Sequence, residues 1–401
     1  MRRTPSRRLF AATLLVASVL APMTATPAAA VHAVGTVAAG VHGEDDCPPG
    51  GFGPELTARL DKAVEDVREQ AGIPGVAVGL WMPGRGSYVH ATGVADKVTG
   101  EPMSTDGFIR IGSETKTFTV TALLKLVDDH RIRLDDPIAR YIHGVPNGHR
   151  ITLRHLAEMR SGLFPYTSDP GFIHDLYTDP QRSFAPEELL AYGFKHKNTF
   201  RPGAKFEYSN SNLVLLGLVV EKVSGRPLQE FLRNRVLRPA HLRHTFLPTG
   251  AEFPEPHPRG YTLQLDNTVV DSTDWNPSWA WSAGAMISNQ HDLRRWAKVL
   301  ATGELLSPET QAQRLKTLPT GHPGLGYGLG IFDANGWIGH NGSLPGYETV
   351  TVYLPERDAT LVLMLNTDTS SQGQEPSTLV ARAITAIVTP DHVYDRAIQP
   401  R

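Results

Sequence analysis

The spacing of apolar residues changes character along the chain. Over residues 55–70, Leu56, Leu60, Ala63, Val64 and Val67 recur at helical spacing among charges and Gly72 follows, which predicts an amphipathic helix with a glycine stop. Two valine-rich runs, 76–80 and 88–94, flank Pro83-Gly84-Arg85-Gly86 and predict a hairpin. A strand-like run, 108–113, then meets a second helical pattern over 114–129, with Phe118, Ala122, Leu123 and Leu126 on one face. Short helical segments separated by Pro and Gly follow at 153–160, 186–194, 212–223, 228–237 and 292–300, where strand signals are sparse. Strand patterns return at 326–332, 337–340, 348–353 and 360–366, before a helix over 376–387. This order predicts an α/β (α+β) architecture. Residues 54–135 and 320–388 form one α/β domain, whose antiparallel sheet is built from both chain ends and flanked by helices, and a mostly helical domain, 136–319, interrupts it. Residues 31–53 read as a flexible leader and 389–401 as a loose tail.

Residues 1–30 stand apart. Arg2, Arg3, Arg7 and Arg8 precede an apolar run, 9–21, and Ala28-Ala29-Ala30 offers a cleavage site, the pattern of a secretory signal peptide. Ser6-Arg7-Arg8-Leu9-Phe10 also resembles the twin-arginine export signal. The apolar run is shorter than the roughly 20 residues a membrane span needs, so a secreted protein without a stable membrane anchor is expected. Composition then narrows the classes. The 401 residues are 40% hydrophobic and 20% charged, with a net charge of −2, which removes the electrostatic drive for nucleic acid. The one cysteine, Cys47, follows Glu44-Asp45-Asp46 and reads as a bland thiol rather than a lipid anchor; alone it makes no internal disulfide.

Sixteen histidines invite a search for metal ligands, but no H-E-x-x-H occurs, and His174-Asp175 and His291-Asp292 are single acid neighbours. Neither metal nor cofactor is expected. Three other pieces carry chemistry. In Gly112-Ser113-Glu114-Thr115-Lys116, where strand pattern meets helix, the spacing puts a hydroxyl and an ammonium on one helix face. A serine hydroxyl is a weak nucleophile until a base such as a buried lysine assists it, and the helix N-terminus favours developing negative charge. Lys116 is the one lysine of the chain with a serine three residues before it. In Tyr208-Ser209-Asn210, a tyrosine near a lysine has its phenolate favoured and can relay the serine proton. His340-Asn341-Gly342-Ser343 ends a strand-like run; H-x-G recurs at His322-Pro323-Gly324, but without strands on both sides. A capping serine with a solvated lysine, or a core tyrosine beside a capping asparagine, would give each piece singly.

In this order the three pieces resemble the motifs of the penicillin-recognising serine hydrolases: secreted D-alanyl-D-alanine carboxypeptidases, class C β-lactamases and β-lactamase-like esterases. The resemblance runs over residues 54–387 and takes in Arg160-Ser161-Gly162-Leu163, Pro202-Gly203, Ser282-Ala283-Gly284 and Gly326-Tyr327-Gly328-Leu329-Gly330. It implies a β-lactamase/DD-peptidase-like fold. Ser113 would be the acylated nucleophile, and Lys116 and Tyr208 the proton-transfer pair, with either as base. Asn210 would bond the substrate amide and His340 would support Tyr208. Asn341, Gly342 and Ser343 would line the substrate strand, with the N–H groups of Ser113 and Ser343 as oxyanion hole, and Trp279 and Trp281 would wall the site.

Two positions depart from the carboxypeptidase pattern. Asn341 stands where those enzymes have Thr, and Gly330-Ile331-Phe332-Asp333 has no Arg to hold a terminal carboxylate. The leading expectation is a D-alanyl-D-alanine carboxypeptidase acting on peptidoglycan stem peptides. An esterase or D-amino-acid amidase comes next, then a β-lactamase, then a binding protein that kept the fold. The partners expected are a small peptide or ester and β-lactams, with the protein a monomer.

Overall fold

Proline at the first helical position and a left-handed Gly72 bound helix α1 (Pro54–Ala71), whose Leu60 and Val64 face inward. The computed structural model describes residues 50–395; the segment read as a signal peptide, Cys47, most of the stretch read as a leader and the end of the tail lie outside the described residues. Strands β1 (Gly75–Met82) and β2 (Gly86–Gly93) form the expected hairpin. Strand β3 (Phe108–Arg110) leads through a single 3₁₀ turn, Gly112–Glu114, into α2 (Thr115–Asp128). The interrupting region carries α3 (Leu153–Ala157), α4 (Pro170–Thr178), α5 (Pro186–Phe194), α6 (Asn210–Ser224) and α7 (Leu228–Leu232). It continues with strands β4 (Tyr261–Leu263) and β5 (Val269–Asp271), α8 (Trp281–Gly284), β6 (Ile287–Asn289), α9 (Gln290–Thr302) and α10 (Pro308–Leu315). The chain then closes with β7 (Leu318–Pro319), β8 (Leu325–Tyr327), β9 (Phe332–Ala334), β10 (Trp337–Leu344), β11 (Tyr347–Leu354), β12 (Ala359–Leu365) and α11 (Pro376–Val388).

The eight-stranded sheet has the order β2-β1-β12-β11-β10-β9-β8-β7, and every adjacent pair is antiparallel. It is built from both chain ends: β1 pairs with β12 from Val76↔Leu365 to Trp81↔Thr360. Successive side chains of a strand point to opposite faces. On β11, Glu348 accepts from the Ser377 N–H at the start of α11, while Thr349 donates to Ile111 beside the 3₁₀ turn and Tyr353 packs on Ala297 and Ala301 of α9. One face of the sheet therefore belongs to α11 and the other to α9 and the turn that carries Ser113.

Three features depart from the sequence pattern. Helix α9, read within the helical insertion, lies against β11 and β12, because an apolar stripe says that a face is buried and not which layer receives it. Three short strands, β4, β5 and β6, also fall outside the predicted strands; β4 pairs with β5, and β6 pairs with the expected β3. The stretch read as a loose tail is docked at its beginning: Tyr394 is buried, its N–H donates to Thr385 Oγ1 at 2.9 Å, and Trp337 Nε1 donates to the His392 carbonyl at 2.7 Å.

Helix α2 is buried almost all round, from Thr115 to Leu126. Its threonines look like a polar face but bond into their surroundings: Thr117 to the Glu114 carbonyl, Thr119 to the Ser282 carbonyl, Thr121 to the Thr117 carbonyl, while Thr115 accepts from the Met286 N–H. Phe118 stacks on Trp296 with centroids 4.1 Å apart. Helix α6 packs against α2, which fixes Tyr208 and Asn210, at its start, relative to Ser113 and Lys116.

Candidate active site

The backbone before Ser113 is pressed against β10. Gly112 has φ +50°, and a Cβ there would lie 2.6 Å from the Ser343 nitrogen; a Cβ on Gly342 would lie 1.9 Å from the Ile111 carbonyl oxygen. Only glycine at both places permits this approach, which sets the N–H of Ser343 beside the turn that carries the nucleophile. The approach is anchored by Ile111 N–H donating to Met286 O at 3.0 Å and by Thr349 Oγ1 donating to Ile111 O at 3.2 Å.

Lys116 is fully buried, one helical turn after Ser113. Its Nζ donates to Ser113 Oγ at 2.9 Å and to the Ala283 carbonyl at 2.7 Å, and it lies 4.9 Å from the centre of the Tyr208 ring. The serine and lysine thus share one spot with a tyrosine that lies most of a hundred residues further along the sequence. The Tyr208 ring is perpendicular to Tyr327 at 6.4 Å and lies 6.2 Å from His340. Asn210 opens α6 and leaves a buried Oδ1 with no hydrogen-bond partner among the described residues, an acceptor available to a substrate N–H.

His340 is buried. Its Nδ1 lies 2.6 Å from the Asn341 carbonyl, which can only accept, so Nδ1 carries a proton; in the neutral ring Nε2 then accepts from Tyr327 O–H at 3.4 Å. Tyr327, inside Gly326-Tyr327-Gly328, was given no role in the sequence reading. Its signal there was its place between two glycines, and the structure sets its hydroxyl on His340 and its ring perpendicular to that of Tyr208.

Asn341 is the correction. Strand alternation turns its side chain to the α11 face, where Nδ2 donates to Glu375 Oε2 at 2.9 Å, so it does not line the substrate side of β10 with His340. Trp279 packs 6.0 Å from Phe172 and its carbonyl accepts from Tyr166 O–H at 2.6 Å. Trp281 lies against Gly217 of α6, where a Cβ would come within 2.9 Å of its ring, and it opens the turn that brings Ala283 to Lys116. Both tryptophans thus buttress the site from the helical side. Sequence reading also passed over Glu114, which is buried and whose carboxyl is pushed up to about 8 by that burial. Among the described residues no group of three or more His, Cys, Asp or Glu could hold a metal ion, and no helix is long and apolar enough to cross a membrane.

A hydroxyl held by a buried lysine, with a tyrosine against the same ammonium and a backbone N–H pressed to the turn, is equipped for acyl transfer. The sequence model described as Beta-lactamase matches residues 60–385. The chain belongs to the beta-lactamase family. Within that family of serine hydrolases it is similar to Protein flp of Staphylococcus aureus (strain N315), 27% identical over 331 residues, with 77% of this chain and 62% of that protein covered. The chain thus spans about three fifths of the length of that relative. Among solved structures it is similar to a D-stereospecific amidohydrolase from Streptomyces sp., 31% identical, TM-score 0.75, covering 83% of this chain and 99% of that one. It is also similar to the D-amino acid amidase of Ochrobactrum anthropi SV3 solved with D-phenylalanine, 28% identical, TM-score 0.75, covering 84% and 99%. The fold anticipated from the three motifs is the fold observed.

Proposed function

We propose that the protein is an exported serine amidohydrolase that cleaves small amides of D-amino acids through an acyl-enzyme on Ser113. Ser113 Oγ attacks the amide carbonyl as its proton passes to the Lys116–Tyr208 pair. The C–N bond then breaks, the pair returns the proton to the leaving amine, and water hydrolyses the ester to release the D-amino acid and restore the serine. The observation that favours an amide over a peptide with a free carboxylate is the segment before β10. Gly330-Ile331-Phe332-Asp333 has no Arg of the kind carboxypeptidases of this type carry on that strand, and the Phe332 ring packs 4.7 Å from His340. A missing charge-assisted bond is worth about 1.5 to 3 kcal/mol, roughly tenfold or more in affinity for a carboxylate. The two amidohydrolases similar over most of the chain support the same choice. Export rests on the arginine-led segment at residues 1–30.

The test measures ammonia release from D-phenylalanine amide and L-phenylalanine amide beside D-alanine release from a diacyl-Lys-D-Ala-D-Ala peptide. Turnover of the D-amide well above the L-amide and above D-alanine release, abolished by Ser113→Ala, is expected. Faster D-alanine release would replace this reading with the carboxypeptidase one, and a folded protein that turns over none of the three overturns both.

A further inference from the structure

Glu114 follows the nucleophile, and the acyl transfer itself does not use it. It ends the turn Gly112–Glu114 and is 1% exposed, and neither carboxyl oxygen makes a hydrogen bond of good geometry among the described residues. The polar groups that bear on it are the hydroxyls of Thr349 and Thr351, which lie close enough to favour its charged form and do not offset burial. In the ladder these threonines stand opposite Gly342 and His340. Thr349 also holds the Ile111 carbonyl, just before Gly112. The carboxyl thus lies where the nucleophile turn meets the strands that carry Ser343 and His340. An apolar side chain would fill this place without leaving buried oxygens unsatisfied, a cost of the kind retained at working sites.

We propose that Glu114 is a positioning residue: as an uncharged carboxylic acid it braces the nucleophile turn against β11 and so fixes the Ser113 N–H relative to the Ser343 N–H. This rests on Ser113 being the nucleophile, as proposed above. Burial is what holds the acid form, and no charged group contributes. The ionisable side chains on the elements around the turn are Lys116 and, towards the far end of the helix, Lys125 and Asp128 on α2, His340 on β10, Arg110 on β3 and, along the same face of β11, Tyr347 and Tyr353; α8 carries none. Above about pH 8 the carboxyl ionises in a place built for a neutral group, and the turn shifts from its catalytic register.

The test is the pH dependence of p-nitrophenyl acetate hydrolysis by the full chain and by its Glu114→Gln and Glu114→Leu variants. The unaltered protein loses kcat above about pH 8 along a one-proton limb. Glu114→Gln, which cannot ionise, loses that limb and keeps whichever limb Lys116 and Tyr208 set. Glu114→Leu lowers kcat about tenfold or more while KM stays nearly constant, because an oxyanion hole acts mainly in the transition state. A limb near pH 8 that is absent from the unaltered protein or unchanged in Glu114→Gln overturns the proposal, as does a folded Glu114→Leu with undiminished kcat. Ser113→Ala separates the two readings. If it retains esterase activity the acyl-enzyme reading itself fails, whereas an inactive Ser113→Ala beside an indifferent Glu114→Gln rejects the role of Glu114 alone.

Discussion

The two faces of β11 each take a buried glutamate, and they treat it differently. On the α11 face, Glu348 accepts the Ser377 N–H at 2.9 Å, at a helix N-terminus that favours negative charge, and its neighbour Glu375 is bonded by Asn341. On the nucleophile face, Glu114 stands at the N-cap of α2, but its side chain accepts no N–H there. Burial raises the proton affinity of both; the nearby Glu375 carboxylate adds to it for Glu348, while for Glu114 burial is the sole raising influence. A compensated buried carboxyl reads as architecture. One with only two threonine hydroxyls beside it, next to the nucleophile, reads as a part of the machinery whose cost the rest of the fold offsets.

Three substitutions press on this contrast. The largest effect belongs to the nucleophile face itself. Gly112→Ala would drive a methyl to 2.6 Å from the Ser343 nitrogen at a φ that side chains rarely adopt, so strand and turn must part. Loss of one oxyanion donor costs about 10²- to 10³-fold in kcat, and that is the expected fall, read on protein whose far-UV circular dichroism is unchanged. A Gly112→Ala enzyme with ordinary kcat would mean that the tight approach serves packing only.

Next comes the α11 face. A carboxyl that stays protonated when folded but ionises in the usual range when unfolded makes the folded state bind more protons there, so stability is highest in acid and falls as pH rises past about 4.5. Glu348→Gln keeps an acceptor for Ser377 and cannot ionise. It should flatten the decline of Tm between about pH 5 and pH 8 by several degrees while leaving the alkaline limb of kcat where it was. Movement of that limb would erase the distinction between the faces. The smallest effect is expected from Asn341→Thr, which installs the carboxypeptidase residue. Since this side chain points at Glu375, the ratio of D-alanine release to amide turnover should stay within about twofold, at a stability cost of about 1 kcal/mol. A marked gain in D-alanine release would show that position 341 reaches the substrate after all.

The three motifs were legible because acyl transfer demands particular side chains at fixed offsets, and a sheet drawn from both chain ends was legible because period-2 runs flank the helical stretch. Other features were not. The threonines of α2 imitate a solvated face and reveal themselves only through partners such as Ser282 and Met286, far along the chain. The side chain of Asn341 could be assigned to the substrate or to α11 only once the strand's facing was known, since a one-residue change of register reverses every side chain. Glu114 was hidden in plain view: within a Ser-x-x-Lys motif the intervening residues carry no rule, and its importance comes from two threonines on a strand over two hundred residues later. Tyr394 docks the end of the described chain through one ring and one N–H, too little to register as a pattern.

The bond from Lys116 to the Ala283 carbonyl spans 167 positions of the chain, and the one from Thr349 to Ile111 spans 238. Contacts of such range form late, once the intervening loops have been closed against their entropy. Ser113 and Lys116 are neighbours in sequence and meet in any nascent helix, but the carbonyl that steadies the ammonium and the strand that steadies the turn arrive only when the two halves of the protein have joined. Hydrolytic activity is therefore a report on completed folding. A chain still threading or half collapsed carries the nucleophile without the means to use it, and recovery of turnover during refolding should trail the recovery of helix signal.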